Sequence, residues 1–368
     1  MRIAIWGAGK FGHFIKEQMD KREDVIFAGF IDSKIQGSQN GIKIIAPSQI
    51  EEYKIDLILV AVVNFASVLE QLPSEEIDKV GIIRGYVYKL NKNLSRNLLE
   101  DRNILWLKNV ESNKPFLDHL ETNVMDSCNL NCKGCSHFSN LFSQGEKIPF
   151  ERFCEDLKKI SENVWINRLY LLGGEPLLNK QLPNYIGFAR ELLPLTEIEI
   201  VTNGILIPKQ SGIFFECCRE NDVFISISGY KPMLRMKEDI IKTLEENEIN
   251  YEFRMDVLSF GKNIDLQGEA NPQKTFRVCR EKDCHFFRNG RLYKCPFEAL
   301  GNKLFTQFDI DIFFQGGVDI YDPDLNWDEA IAKLDNEPIS CCRYCGEEER
   351  TEWAIENHPQ LEDWIIRK

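Results

Sequence analysis

Three cysteines within eight residues, Cys128, Cys132 and Cys135, follow directly on a strand-like run from Glu121 to Met125. A C-x3-C-x2-C loop is too compact for three disulfide partners, but its three thiolates can converge on one face of a cubane cluster. Full cysteine ligation of a four-iron cluster takes four thiolates, so three would leave one iron open to an outside ligand. Zinc is the rival reading, with His137 as a fourth ligand two residues on.

The rest of the composition narrows the setting. The chain has 368 residues and 12 cysteines, and no apolar run approaches the roughly 18 residues of a membrane span. Its longest apolar run, Leu57 to Val63, reads as a buried strand, and Gly7 comes too early for a signal-peptide core. A cytosolic, reducing location is therefore expected, where clustered cysteines point to metal or redox chemistry. With 45 Lys plus Arg against 58 Asp plus Glu, the net charge is −13. That argues against a general nucleic-acid or anionic-membrane partner.

At the N-terminus an apolar run, residues 2–6, is followed by Gly7-Ala8-Gly9-Lys10-Phe11-Gly12, a helical stretch to about Asp20, and a second run, Ile26 to Ile31, ending at Asp32. Gly7 permits a tight turn, Gly9 lets a phosphate approach the backbone, and Gly12 lets helix and strand pack closely. The helix N-terminus offers free N–H groups to an anion, and Asp32 could accept from a ribose hydroxyl. Further apolar runs at 42–45, 57–63 and 80–83 complete a Rossmann-like parallel sheet over residues 1–90. This is short for two mononucleotide halves, which favours a nucleotide or nucleotide-sugar. The segments Gly41–Pro47 and Ile55–Val62 resemble the small Rossmann-like domains that precede sugar acetyltransferases and related enzymes of bacterial polysaccharide biosynthesis. That resemblance implies a nucleotide-sugar on the glycine turn and the acid. Residues 91–118 read as a connector with a short apolar patch at Ile104–Leu107.

The cysteine loop strongly resembles the radical SAM superfamily. Cys128, Cys132 and Cys135 match its cluster motif, in spacing and in position after a first barrel strand. The resemblance implies S-adenosylmethionine (SAM) chelated to the open iron, and cleavage of SAM to a 5′-deoxyadenosyl radical that abstracts a substrate hydrogen. It also implies an electron donor such as a flavodoxin or ferredoxin. One departure is Gly134, where many members carry an aromatic residue near the adenine; Phe138 could replace it. A second strand, Arg168 to Leu172, stops at Gly173-Gly174-Glu175-Pro176, which resembles the family's SAM-amino-group turn. Later strands end in Thr202-Asn203-Gly204 and in Ser228, with Ser226 inside. Asn203, Ser226 and Ser228 are candidates for the SAM carboxylate and ribose. The pattern over residues 119–265 suits a partial (β/α)6 barrel.

Five further cysteines fall in residues 266–368: Cys279, Cys284, Cys295, Cys342 and Cys345. Cys284 and Cys295 flank a hairpin signalled by Asn289-Gly290, and Cys342-x2-Cys345 can return to meet them. Zinc could be held by four of these thiols. The layout resembles twitch and SPASM extensions, which implies an auxiliary 4Fe-4S cluster on four of the five. Cys279 and Cys284 compete for the fourth place. Cys154, Cys217, Cys218 and Cys341 read as bystanders, the first three being weak candidates for a thiol hydrogen donor. Glu347–Glu349 reads as a solvated helix start. No catalytic acid or base stands out.

The fold class expected is α/β: a Rossmann-like sheet, a partial barrel, and a hairpin and helix extension. The function expected is oxidation or epimerisation of a small-molecule substrate, a carbohydrate or nucleotide-linked sugar. Two alternatives are a SPASM-type peptide-modifying maturase and a non-catalytic iron–sulfur or zinc protein.

Overall fold

The computed structural model describes residues 1–35, 37–62, 68, 71–72, 74–84, 99, 103–109 and 114–366. The chain is α/β and divides into two compact units, Met1–Ser112 and Asn113–Lys368.

In the first unit β1 (Arg2–Trp6), α1 (Lys10–Met19), β2 (Ile26–Ile31), β3 (Ser38–Gln39), β4 (Ile42–Ile45), β5 (Leu57–Val60), β6 (Val80–Ile83) and β7 (Ile104–Trp106) form one sheet in the order β3-β4-β2-β1-β5-β6-β7. The five central strands are parallel, and β3 and β7 close the edges antiparallel. Strands β5 and β6 are buried along their whole length, which is why they read as unbroken apolar runs. The patch expected inside a connector is thus the edge strand β7, paired to β6. Within 91–118, residues 91–98, 100–102 and 110–113 lie outside the described residues.

The second unit contains β8 (Phe116–Met125), α2 (Phe150–Ser161), β9 (Trp165–Gly173), α3 (Leu182–Leu192), β10 (Glu197–Thr202), α4 (Gly212–Glu220), β11 (Val223–Gly229), α5 (Lys231–Leu234), α6 (Lys237–Glu246) and β12 (Asn250–Asp256). After these come β13 (Ser259–Ile264), α7 (Pro272–Val278), β14 (His285–Arg288), β15 (Arg291–Tyr293), α8 (Pro296–Gln307), β16 (Val318–Asp319), α9 (Trp327–Asn336) and β17 (Cys345–Glu352). The main sheet runs β12-β11-β10-β9-β8-β14-β15-β16. Its first six strands are parallel, the sixth being β14 beside β8. The sequence pattern put this strand in an appended hairpin. The hairpin exists, with Asn289 and Gly290 both at positive φ in its two-residue turn, but its first strand extends the parallel sheet.

Alternation along each strand separates two faces. Leu120, Val124, Leu169, Leu171, Ile198, Ile200, Ile225 and Ile227 are fully buried in one core with residues of α2, α3, α4 and α6. Burying each of these side chains contributes about 1.5–3 kcal/mol. The alternate positions place His119, Glu121, Asn123, Tyr170, Glu199, Ser226, Glu252 and Arg254 on the other face. A small sheet, β13 with β17, carries Glu347–Glu349 as a strand rather than a helix start. Of its exposed acids, Glu349 pairs across the ladder with Lys262 at 3.3 Å. Among the described residues no helix is long and apolar enough to cross a membrane.

Candidate functional site

The site is assembled where β8 and β9 end together. Gly174 N–H donates to Met125 O at 2.8 Å and Glu175 N–H to Ser127 O at 3.0 Å. This approach leaves no room for side chains. A Cβ on Gly173 (φ +147) would lie 1.9 Å from Met125 O, and one on Gly174 would lie 2.3 Å from Ser127 O. The Gly-Gly pair is therefore a requirement of packing the turn against the cysteine loop.

Glu175, fully buried, binds this turn to the next strand. Its carboxylate accepts from Leu177 N–H at 3.0 Å, Thr202 Oγ1 at 2.6 Å and Asn203 N–H at 2.9 Å. Burial pushes its carboxyl up to about 7, against the pull of these donors. Pro176 opens the single turn that follows. Asn203, thus held, directs Nδ2 to Asn129 Oδ1 at 2.7 Å and to Cys128 Sγ at 3.7 Å. Ser226 donates to Glu252 at 2.6 Å and accepts from Arg254 Nε at 2.9 Å. Ser228 is half-buried just before Tyr230.

Cys128, Cys132 and Cys135 pack in one cluster with Leu130, Ile205, Tyr230, Val257, Phe260 and Trp353. Burial raises the Cys132 thiol to about 12 and the Cys128 thiol further. Yet donors are directed at both sulfurs: Leu130 N–H at 3.4 Å from Cys128, and Trp353 Nε1 at 3.2 Å from Cys132. Donors aimed at buried sulfurs suit thiolates, the form that metal ligation requires, so the triad fits an iron–sulfur cluster. His137, weighed as a zinc ligand here, instead places Nδ1 3.1 Å from Asn123 Oδ1.

Several residues of this site carried no local signal. Trp353 and Tyr230 sit against the triad with rings 5.7 Å apart, and Trp364 Nε1 donates to Cys135 O at 2.8 Å. Residues 354–356 pair with the triad loop, Lys133 N–H to Ala354 O and Glu356 N–H to Asn131 O. Asp126, fully buried, takes both guanidinium nitrogens of Arg288 at 2.8 Å. Gly134 has φ +68, and a Cβ there would lie 2.6 Å from Asp363 O, so the loop excludes an aromatic at this position. Phe138 does not replace it: its ring is buried among Phe297 and Trp364.

The second cysteine set also gathers. Cys345 lies near Cys295, Cys342 and Cys279. Cys341, read from sequence as a bystander, is buried and lies close to both Cys295 and Cys342. Its nearness lowers the Cys342 thiol, making that sulfur the more readily ionised of the two. Cys284 stands close to His119 and Glu121. Cys154, Cys217 and Cys218 lie on α2 and α4, packed on the helical side of the sheet. As hydrogen donors they would be separated from the polar face by the sheet itself, which corrects that expectation.

In the first unit the glycines have distinct surroundings. Gly7 (φ +109) would put a Cβ 2.7 Å from Val62, and Gly12 would put one 1.8 Å from Gly7 O, whereas Gly9 faces open space. Asp32 accepts from Ala8 N–H at 3.3 Å, Lys34 N–H at 2.8 Å and Ile35 N–H at 3.1 Å. Its carboxylate thus ties the glycine loop to the turn after β2.

Residues 1–83 match the family described as C2185-like, N-terminal, and residues 122–260 match the Radical SAM superfamily. GTP 3′,8-cyclase of Clostridium acetobutylicum is 34% identical over 146 residues, covering 36% of this chain and 44% of that one. A probable GTP 3′,8-cyclase of Archaeoglobus fulgidus is 37% identical over 99 residues, covering 27% and 32%. The chain thus spans less than half the length of these curated relatives. Among solved structures, BtrN in complex with AdoMet and 2-DOIA is 17% identical with a TM-score of 0.37, covering 61% of this chain and 84% of that one. Native anSMEcpe with bound AdoMet is 16% identical with a TM-score of 0.31, covering 38% and 43%. The cysteine loop, the glycine turn and Asn203 all fall inside the matched segment, and residues 122–260 of this chain form a radical SAM superfamily domain.

Proposed function

We propose that this protein is a radical SAM oxidoreductase acting on a carbohydrate or nucleotide-linked sugar in the cytoplasm, oxidising or epimerising a carbon that bears a hydroxyl. The observation that carries the reading is the meeting of Cys128, Gly174 and Asn203 at adjoining strand ends, beside a sheet face of polar side chains. When bound, the cluster and SAM supply a hydrogen-abstracting 5′-deoxyadenosyl radical, and an auxiliary cluster supplies an electron sink.

The chain's own residues then have separable tasks. Cys128, Cys132 and Cys135 hold the cluster. The Gly173–Pro176 turn presents backbone to the SAM amino group, and Glu175 acts by fixing that turn and Asn203. Asn203, Ser226 and Ser228 take the carboxylate and ribose. Glu199 and Arg254, 3.2 Å apart on the polar face, suit a hydroxylated substrate that both accepts and donates hydrogen bonds. Cys279, Cys295, Cys342 and Cys345, with Cys341 beside them, form a twitch-like set. The first unit, read as Rossmann-like, binds a nucleotide or nucleotide-sugar through Gly7, Gly9, Gly12 and Asp32, and a flavodoxin or ferredoxin supplies electrons.

Anaerobic reconstitution tests this directly. About eight irons per chain and 5′-deoxyadenosine formed with dithionite are expected. Iron near four with radical formation intact removes the second cluster; no 5′-deoxyadenosine removes the enzyme reading. Product lacking two hydrogens marks oxidation, whereas product of unchanged mass in H2O that gains one deuterium in D2O marks epimerisation. Calorimetry with UDP-, GDP-, CDP- and dTDP-sugars tests the first unit. A second reading, a nucleoside triphosphate substrate, is favoured by the names of the matched relatives. Consumption of GTP alongside 5′-deoxyadenosine would support it, and inert GTP would retire it.

A further inference from the structure

The polar face of the main sheet carries a second constellation, on the flank opposite Arg254. His119 and Glu121 are two residues apart on β8, so their side chains leave the same face. Strand β14 lies parallel beside β8, with His285 opposite Leu120 and Phe286 opposite Glu121. That register carries Cys284, one residue before β14, to the same place. A His119 ring nitrogen, a Glu121 carboxylate oxygen and Cys284 Sγ all lie within 4.8 Å of one another.

A plain buried hydrogen bond between His119 Nε2 and Glu121 Oε2, 3.1 Å apart, is the simpler reading, and it leaves too much unexplained. Glu121 is 5% exposed and its other oxygen, Oε1, has no hydrogen-bond partner. His285 pairs with Leu120 and so points to the opposite, helix-covered face, outside this set. Orphaned polar atoms at this depth cost about 1–3 kcal/mol each and are rare in native interiors. Tyr170 stacks on His119 at 4.2 Å, within 13° of parallel, and fixes the ring's direction.

We propose that His119, Glu121 and Cys284 form a mononuclear site for a divalent transition metal of the zinc class, separate from both cysteine sets. One imidazole, one carboxylate and one thiolate are a ligand set zinc accepts, with a fourth position left open. The exposed Glu281 lies one turn before Cys284, whose backbone N–H donates to Glu281 O at 3.1 Å. The charges also close: a dication balances one carboxylate and one thiolate beside a neutral imidazole. Without the ion, burial drives all three groups to their neutral forms, raising Glu121 to about 7 and Cys284 further, and lowering His119 to about 4. The assignment also ends the competition for the auxiliary set, since Cys284 is engaged elsewhere and Cys279 remains beside Cys295, Cys342 and Cys345. It stands on this geometry alone and does not require the substrate reading above.

The test uses the full chain, reconstituted anaerobically with iron and sulfide, then exposed to zinc and desalted. Elemental analysis should find about one zinc per chain beside unchanged iron. The zinc-edge absorption spectrum should show one sulfur near 2.3 Å and nitrogen or oxygen ligands near ~2.0–2.1 Å. Glu121→Gln and His119→Asn, both close in shape to the native side chains, should each weaken zinc retention about 10-fold or more at constant iron. Cys284→Ala should do the same. Four outcomes would overturn the site: no retained zinc, zinc unaffected by Glu121→Gln and His119→Asn, a spectrum of several sulfurs, or loss of iron from Cys284→Ala. Iron retention doubles as the control for folding in Glu121→Gln and His119→Asn, and an unchanged far-ultraviolet circular dichroism spectrum serves for Cys284→Ala.

Discussion

Individual residues here are constrained by backbone closeness as much as by chemistry. Gly174→Ala puts a methyl 2.3 Å from Ser127 O, and the obstructing atom is backbone that cannot swing aside. The expected cost is at least about 2 kcal/mol, seen as a lowered thermal midpoint together with loss of 5′-deoxyadenosine formation. Glu175 makes a prediction in pH. Its carboxyl is raised to about 7 in the folded chain, so between the unfolded value and 7 the native state binds more protons. Its contribution to stability is therefore full at low pH and is lost as pH rises through 7. In metal-free protein, urea midpoints of the wild type should fall between pH 5.5 and 8 relative to Glu175→Gln. The relative slope should reach about 1.4 kcal/mol per pH unit at most. A parallel pair of pH curves would refute this.

At the scale of elements, the triad loop depends on segments far away in sequence. Arg288, at the end of β14, is the bidentate partner of fully buried Asp126, two residues before Cys128. Removing one partner strands a buried charge, so Arg288→Met should destabilise by about 3 kcal/mol, with part regained in the double variant Asp126→Asn, Arg288→Met. Chemical denaturation of the four-member cycle measures it. Trp353 follows β17 and donates to Cys132 Sγ, and such a donor favours the more electron-rich cluster. Trp353→Phe should lower the reduction potential by tens of millivolts, read by an electron paramagnetic resonance titration, with iron content unchanged. An unchanged potential would show that the indole only packs. These contacts explain what sequence reading missed. The triad and the Gly-Gly turn announce themselves because their chemistry requires particular residues at particular spacings. Trp353, Tyr230 and Arg288 are ordinary residues locally, and only chain return gives them a role.

Over the whole molecule, the chain folds as two compact units. A chain beginning at residue 113 should still form 5′-deoxyadenosine, measured by chromatography, while nucleotide-sugar binding should stay with Met1–Ser112. Loss of radical formation in that shorter chain would show that the first unit is needed for more than ligand capture. The sequence alone determined the α/β class, the alternation of strands and helices, and the placing of the cysteine triad and the glycine turn that faces it. Each rests on local periodicity or on a spacing too specific to arise otherwise. The tertiary structure alone decided that β14 joins the parallel sheet, that Cys341 belongs with Cys295 and Cys342, and that Cys284 faces His119 and Glu121. Those outcomes depend on which strands become neighbours across gaps of more than 150 residues, as between β8 and β14. Strand pairing at that distance is settled by how the whole core packs, and no local pattern encodes it.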